Sequence, residues 1–175
     1  AIGNSLIIGN IAKSTNGASA GSGGGVFMRG GSVVNCTIAG NRAEDPPGSV
    51  ERGRGGGVFM ESGTMTNTII YFNTSTSNAN WYYGSGSPSY ICTTPAVGVG
   101  SVTANPSFVN TNAWNFRLQG FSPCIDAGTN GAWMSGTTDL DGNPRIFNGR
   151  ADMGAYEAPC MQPFVTAQPP SIPNR

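Results

Sequence analysis

Residues 139–143 read DLDGN and set Asp139, Asp141 and Asn143 at alternate positions, an arrangement that lets short side-chain oxygens converge on a calcium ion. The EF-hand version is excluded. Counted from Asp139, its glycine position holds Pro144 and its glutamate position holds Arg150. A calcium site of another type would draw on Asp126 or Asp152, and calcium is the one cofactor the sequence suggests. The simpler reading needs no ion: Asp139 and Asp141 cap backbone amides in a turn and pair with Arg145 or Arg150.

Trp81, Tyr82 and Tyr83 are consecutive in a polar stretch. They read either as a carbohydrate-stacking platform or as a cover over an exposed side of the fold. The four cysteines, Cys36, Cys92, Cys124 and Cys160, include no C-x-x-C pair, and the chain has no histidine, so a zinc site is not expected. An even number of widely spaced cysteines in a Ser/Thr/Asn-rich chain with one lysine points to disulfides and an oxidising compartment. Cys92 is expected to pair with Cys124, since YICTTP and SPCID both lie in the aperiodic part of the chain. That leaves Cys36 for Cys160, with a buried thiol as the alternative for Cys36.

Polysaccharide chemistry would need a base beside a charge-neutralising group, or two carboxylates facing one groove. The acids of the first half are Glu44, Asp45, Glu51 and Glu61, three of them in one loop, and the single lysine is Lys13. No catalytic set emerges.

The elements that carry these residues repeat. GGGVFMRGGSVVNCTIAGN begins at Gly23 and GGGVFMESGTMTNTIIYFN at Gly55, an offset of 32 (55 − 23). A partial copy, NSLIIGN, sets Asn4, Ile7 and Asn10 an offset of 31 before Asn35, Ile38 and Asn41 (35 − 4). Each copy contains short runs of Val, Ile, Phe and Thr broken by Gly and Asn, with no sustained helical spacing, so the unit is stranded. Short strands at a constant period predict a solenoid of parallel strands in which each residue stacks on its counterpart. The glycines mark a corner where a Cβ would collide. Asn10, Asn41 and Asn73 should form a hydrogen-bonded ladder at another corner and tolerate left-handed φ; Asn35 and Asn67 are the candidates for a second. Alternation should send Val26, Phe27 or Met28 inward with Val58, Phe59 and Met60, as well as Ile38 and Ile70. After Asn73 the repeat decays. The stretch RAEDPPGSVERGR should be a solvent-facing loop.

With 9 basic and 9 acidic residues the net charge is +0, which gives no electrostatic case for nucleic acid or an anionic membrane. The longest apolar bursts are far too short to span a bilayer. No secretory signal is present at Ala1, and the chain opens within a strand-like segment, as expected of a piece of a longer polypeptide.

NPSFV, NFRLQGFSPCIDAG and TDLDGNPRIFNGRADMGAYE, within residues 105–157, resemble the C-terminal segment of bacterial surface proteins with right-handed parallel β-helix repeats, the choice-of-anchor Q type. The GGGVFM and IAGN units are more loosely similar to repeats of polymorphic outer membrane proteins. The tail PFVTAQPPSIPNR looks like the opening strand of an immunoglobulin-like module and also reads as a Pro-rich linker. The resemblance implies a secreted, surface-attached protein without a settled chemistry.

The expected organisation is all-β: a right-handed parallel β-helix over residues 1–110, a C-terminal coil and cap over 111–160, and a linker over 161–175 to a following module. The expected role is a non-enzymatic extracellular or cell-surface scaffold, adhesin-like or filament-forming. Its partners would be further coils of its own chain, identical subunits, glycans or cell-surface components. The alternatives are a fragment of a polysaccharide lyase or glycosidase, and a carbohydrate-binding module.

Overall fold

The computed structural model describes residues 1–14, 21–45 and 53–158. The expectations for Glu51, Cys160, the middle of the charged loop and the 161–175 linker fall outside the described residues. The fold is all-β, built of parallel strands with two short 3-10 turns. Layer one holds β1 (Ile2–Gly3), β2 (Leu6–Ile8) and β3 (Ile11–Lys13). Layer two holds β4 (Val26–Val34), β5 (Thr37–Ala39) and β6 (Arg42–Glu44). Layer three holds β7 (Val58–Tyr71) and β8 (Thr74–Ser75), and layer four holds β9 (Trp81–Tyr83) and β10 (Ser87–Cys92).

The layers align in four columns because each layer repeats the strand order of the one before. In the first column Val26, Phe27 and Met28 pair with Val58, Phe59 and Met60, which pair in turn with Trp81, Tyr82 and Tyr83. The second column runs from Ile2 through Val33 and Met65 to Pro88. The third stacks Ile7, Ile38 and Ile70, and the fourth stacks Ala12, Ala43 and Ser75.

Alternation decides which residues enter the interior. Val26, Met28, Val58, Met60, Ile38, Ile70 and Ile91 share one apolar core, while Phe27 faces outward and is 46% exposed. The glycine corner is a close approach: a Cβ on Gly24 would lie 2.2 Å from the Gly56 carbonyl oxygen, and one on Gly56 2.1 Å from that of Thr74.

Asn10, Asn41 and Asn73 form a ladder. Asn10 Nδ2 donates to Asn41 Oδ1 and Asn41 Nδ2 to Asn73 Oδ1, each at 3.0 Å. Their main-chain N–H groups donate to the same oxygens at 2.9 Å. Asn80 extends the ladder by accepting from Asn73. The left-handed φ values expected at Asn41 and Asn73 belong instead to Asn4, Asn35 and Asn67, at 47°, 50° and 50°.

Beyond β10 the parallel pairing dwindles to isolated bridges at Val99 and Val102, and β11 (Phe108–Asn110) and β12 (Asn115–Leu118) form an antiparallel hairpin. The segment expected to close the end of the stack runs back along its side. Ala155 N–H donates to Thr37 Oγ1 in layer two, Gly154 N–H to the Asn67 carbonyl in layer three, and the Trp114 ring lies against Gly9 and Gly40 in layers one and two. The reason is in the third column, which is apolar on both faces. Its inner face joins the first core, and its outer face (Ala39, Ile69 and Cys92, flanked by Leu6, Ile8 and Tyr71) is covered by Phe108, Phe116, Leu118, Cys124 and Met153.

Candidate functional site

The densest polar chemistry lies where the C-terminal segment meets the left-handed asparagine corner between the second and third columns. Asn67 Nδ2 donates to the Thr129 carbonyl and its Oδ1 accepts the Thr129 N–H, both at 2.8 Å. The Asn35 amide lies 3.0 Å from both Nε and Nη2 of Arg145; with its oxygen turned to the guanidinium it accepts from each. Arg145 is 0% exposed, donates from Nη2 to the Gly154 carbonyl at 3.0 Å, and lies 3.2 Å from Glu157 Oε1. Among the described residues its Nη1 has no hydrogen-bond partner.

Around this one guanidinium stand three buried carboxyl groups, Asp139, Asp152 and Glu157. Asp152 accepts the N–H groups of Asp126 and Ala158 at 2.7 Å, and Glu157 accepts that of Asp152. Burial pushes the Glu157 carboxyl up to about 8, although Arg145 pulls the other way, and burial also raises Asp152. Burial lowers Arg145, against the pull of the surrounding acids.

The calcium candidates are held within this structure. Asp139 Oδ1 accepts the N–H groups of Asp141 and Asn143 at 2.9 and 2.8 Å, and its Oδ2 accepts Glu157 N–H at 2.7 Å and Asn143 Nδ2 at 3.2 Å. Asp141 receives both Nε and Nη2 of Arg117, at 2.6 and 2.5 Å. Arg117 therefore takes the place expected for Arg145 or Arg150. Asn143 contributes donors to the turn. Among the described residues no group of three or more Cys, Asp or Glu side chains is arranged to hold a metal.

Strand alternation divides the aromatic trio. Trp81, in register with Val58, packs against the core and donates to the Pro95 carbonyl at 3.0 Å, while Tyr83, in register with Met60, stays exposed and donates to the Gly86 carbonyl. Tyr82 faces outward and completes a stack with Phe27 and Phe59, with ring centroids 4.9 Å apart at each step and interplanar angles of 7° and 27°. Arg29 lies over Phe27 and Arg54 over Tyr82. Rings stacked on one another in this way turn their edges, rather than their faces, to the side of the column.

Cys92 and Cys124 are brought together as buried thiols in the second core. The hydrogen bond to Cys124 and then burial push the Cys92 thiol far above its ordinary range. Cys36 is a buried thiol in the first core, raised by burial. Glu44 is shared by Lys13 and Arg42 at 3.4 and 3.3 Å, Glu61 binds Arg29 at 2.9 Å, and Asp45 accepts Gly53 N–H. Arg42, Glu44, Asp45 and Thr74 help line a polar groove of about 460 Å³ on the fourth column. Among the described residues no helix is long and apolar enough to cross a membrane.

The pairings of Arg145 with Glu157 and of Arg117 with Asp141 were not read from the sequence. Their one available signal is the placing of charges inside the otherwise apolar ADMGAYE and NFRL segments. No family model, curated protein or solved structure matches the chain.

Proposed function

We propose that the chain is a stretch of right-handed parallel β-helix serving as a non-enzymatic extracellular or cell-surface scaffold of the choice-of-anchor Q kind. One observation carries the reading: the columns stack continuously inside the wall (Val26, Val58), at its corner (Asn10, Asn41, Asn73) and outside it (Phe27, Phe59, Tyr82). The carboxylates of Glu44, Glu61, Asp139, Asp141, Asp152 and Glu157 are engaged in holding that wall and its flanking segment. Such a unit lends itself to repetition and to display, with further coils of its own chain or identical subunits as neighbours.

The test has two parts. Antibodies to the chain should label intact source cells before permeabilisation. The purified chain should release neither reducing ends nor unsaturated products from a panel of neutral and acidic polysaccharides. Turnover of any of them overturns the scaffold reading in favour of an enzyme, as does labelling only after permeabilisation in favour of an internal role. Retention on glycan beads without turnover selects the carbohydrate-binding alternative.

A further inference from the structure

Asparagine is a chemically labile side chain, most of all before glycine, where no Cβ obstructs attack of the next main-chain nitrogen on the side-chain amide. The chain has three such pairs, Asn16–Gly17, Asn130–Gly131 and Asn148–Gly149, and the first lies outside the described residues. The other two stand in opposite surroundings.

At Asn130 the groups that would react are all engaged. Its Oδ1 accepts the Ala151 N–H at 3.0 Å, its Nδ2 donates to the Gly149 carbonyl at 2.8 Å, and the Gly131 N–H donates to Met134 Sδ at 3.3 Å. Asn148 and Gly149 instead form the tip of a two-residue turn, at φ 51° and 84°, closed by the Arg150 N–H on the Phe147 carbonyl at 3.1 Å. Both residues are exposed, and a Cβ on Gly149 would meet nothing within 4 Å. Neither the Asn148 side chain nor the Gly149 N–H has a hydrogen-bond partner among the described residues.

This turn is also a joint of the C-terminal segment. The Gly149 carbonyl holds Asn130, Asn130 holds the Ala151 N–H, and Arg150 Nε donates to the Gly128 carbonyl. Between Gly128 and Asn130 lies Thr129, which is bonded through its N–H and C=O to the Asn67 amide of the wall.

We propose that Asn148 is a self-modification site, converting through a succinimide to isoaspartate and aspartate, and that the conversion loosens the hold of residues 128–130 on Asn67. The Gly149 nitrogen gives its proton to water and bonds to Asn148 Cγ; the Cγ–Nδ2 bond breaks, and the nitrogen leaves as ammonia with a proton returned by water. A second water opens the five-membered ring. Opening at Cγ gives aspartate on an unchanged main chain. Opening at the Asn148 main-chain carbonyl gives isoaspartate, with the chain now running through Cγ. Water is the only co-reactant. Isoaspartate adds one carbon to the main chain of a two-residue turn, so the Gly149 carbonyl is displaced from Asn130.

The full chain is held in mildly alkaline buffer and digested at intervals. Mass spectrometry follows the replacement of amide by carboxylate, and electron-based fragmentation separates isoaspartate from aspartate. In the folded chain Asn148 should convert at least about tenfold faster than Asn130, whose two side-chain hydrogen bonds must break first. In urea the two rates should converge. Asn148→Gln, whose longer side chain cannot close the same ring, should stay unconverted. In the converted chain, hydrogen exchange at Gly128, Thr129 and Ala151 should quicken at least about tenfold while that at Asn41 in the wall holds. The proposal is overturned if Asn148 stays intact or converts no faster than Asn130 in the folded chain, if the product contains no isoaspartate, or if exchange at those three amides is unchanged by conversion. If the glutamine variant fails to fold, the comparison of the two asparagines within the parent chain still decides.

Discussion

Replacing Arg145 by methionine tests whether the C-terminal segment is held to the wall by its buried polar cluster. Methionine keeps much of the aliphatic length and removes the guanidinium. The bonds lost are those to the Gly154 carbonyl at 3.0 Å, to Glu157 at 3.2 Å and to the Asn35 amide at 3.0 Å. Glu157 and Asn35 are 2% and 0% exposed, so water cannot replace the missing partner without local opening. Removing one member of a buried ion pair costs about 3–5 kcal/mol, and the orphaned amide and carbonyl overlap with that figure rather than adding to it in full. Arg145 Nη1 already lacks a partner among the described residues, which offsets part of the loss. A net destabilisation of about 3–5 kcal/mol is expected above about pH 8, where Glu157 is ionised, and a smaller one below it, where Glu157 carries its proton. The pH dependence has a definite sign. A carboxyl raised from 4.5 to about 8, as burial raises Glu157, binds its proton more tightly folded than unfolded. The stability from that proton is present below the ordinary value and is lost as pH climbs through about 8. The parent chain should therefore weaken across this window. The variant should weaken more, since it faces the surplus of negative charge without a cation. Urea unfolding followed by tryptophan fluorescence at about pH 5 and about pH 9 measures both effects. A difference between variant and parent below about 1 kcal/mol, or the same difference at both pH values, refutes the reasoning.

Gly56→Ala should destabilise by more than about 3 kcal/mol, because the added Cβ meets two backbone carbonyl oxygens, of Thr74 at 2.1 Å and Ala79 at 2.5 Å. Gly136→Ala, with φ +75° and nothing within 4 Å, should cost only about 1 kcal/mol, and comparing the two urea midpoints separates crowding from backbone strain. Asn41→Ala strands the Asn10 N–H and the Ile7 carbonyl; a loss of about 2–4 kcal/mol is expected, with faster hydrogen exchange at Asn10 than at amides of the second core. In the reduced chain, Cys36 and Cys92 should resist alkylation until the chain unfolds, since both thiols are buried and raised; labelling at the rate of an exposed thiol contradicts this packing. Peptide mapping of chain recovered from an oxidising compartment should link Cys92 to Cys124, and any other linkage of Cys92 would count against their juxtaposition.

The wall was legible in the sequence because stacking forces like residues onto like positions. Gly24 and Gly56 recur because each corner passes under a carbonyl, and Asn41 and Asn73 recur because each amide needs the next. Legibility stopped at Asn73 although the wall continues. The next layer arrives after 23 residues (81 − 58) instead of 32. It also writes its corner differently: Asn78, at φ 60°, takes the left-handed place of Gly55, and Asn80 follows where Gly57 would be expected. Physically equivalent residues with different letters conceal a repeat. The same holds for the trio at Trp81, which sequence reads as one cluster and strand geometry splits, Trp81 packing on the core and Tyr82 joining the outer stack.

The flanking segment was harder to place for another reason: its position is set by a surface, not by a period. One signal was present, since SLII and TIIYF are continuous apolar runs where a wall with one wet face would alternate. Such runs require cover on the outer side of the third column, but they do not say which residues supply it. Nor does spacing reveal that Arg117 reaches Asp141 or that Arg145 reaches Asn35, contacts created only when the hairpin and the turn fold back together. Burying an arginine in a chain with 9 basic residues is costly unless its surroundings supply fixed acceptors. Asn35 supplies one, beside the Gly154 carbonyl, because its left-handed corner turns the amide toward the flanking segment, just as the same corner turns Asn67 toward Thr129. The asparagines that look like mere repeat geometry are therefore also the receptor for the C-terminal segment. A substitution at Asn35 should accordingly loosen that segment before it loosens the wall.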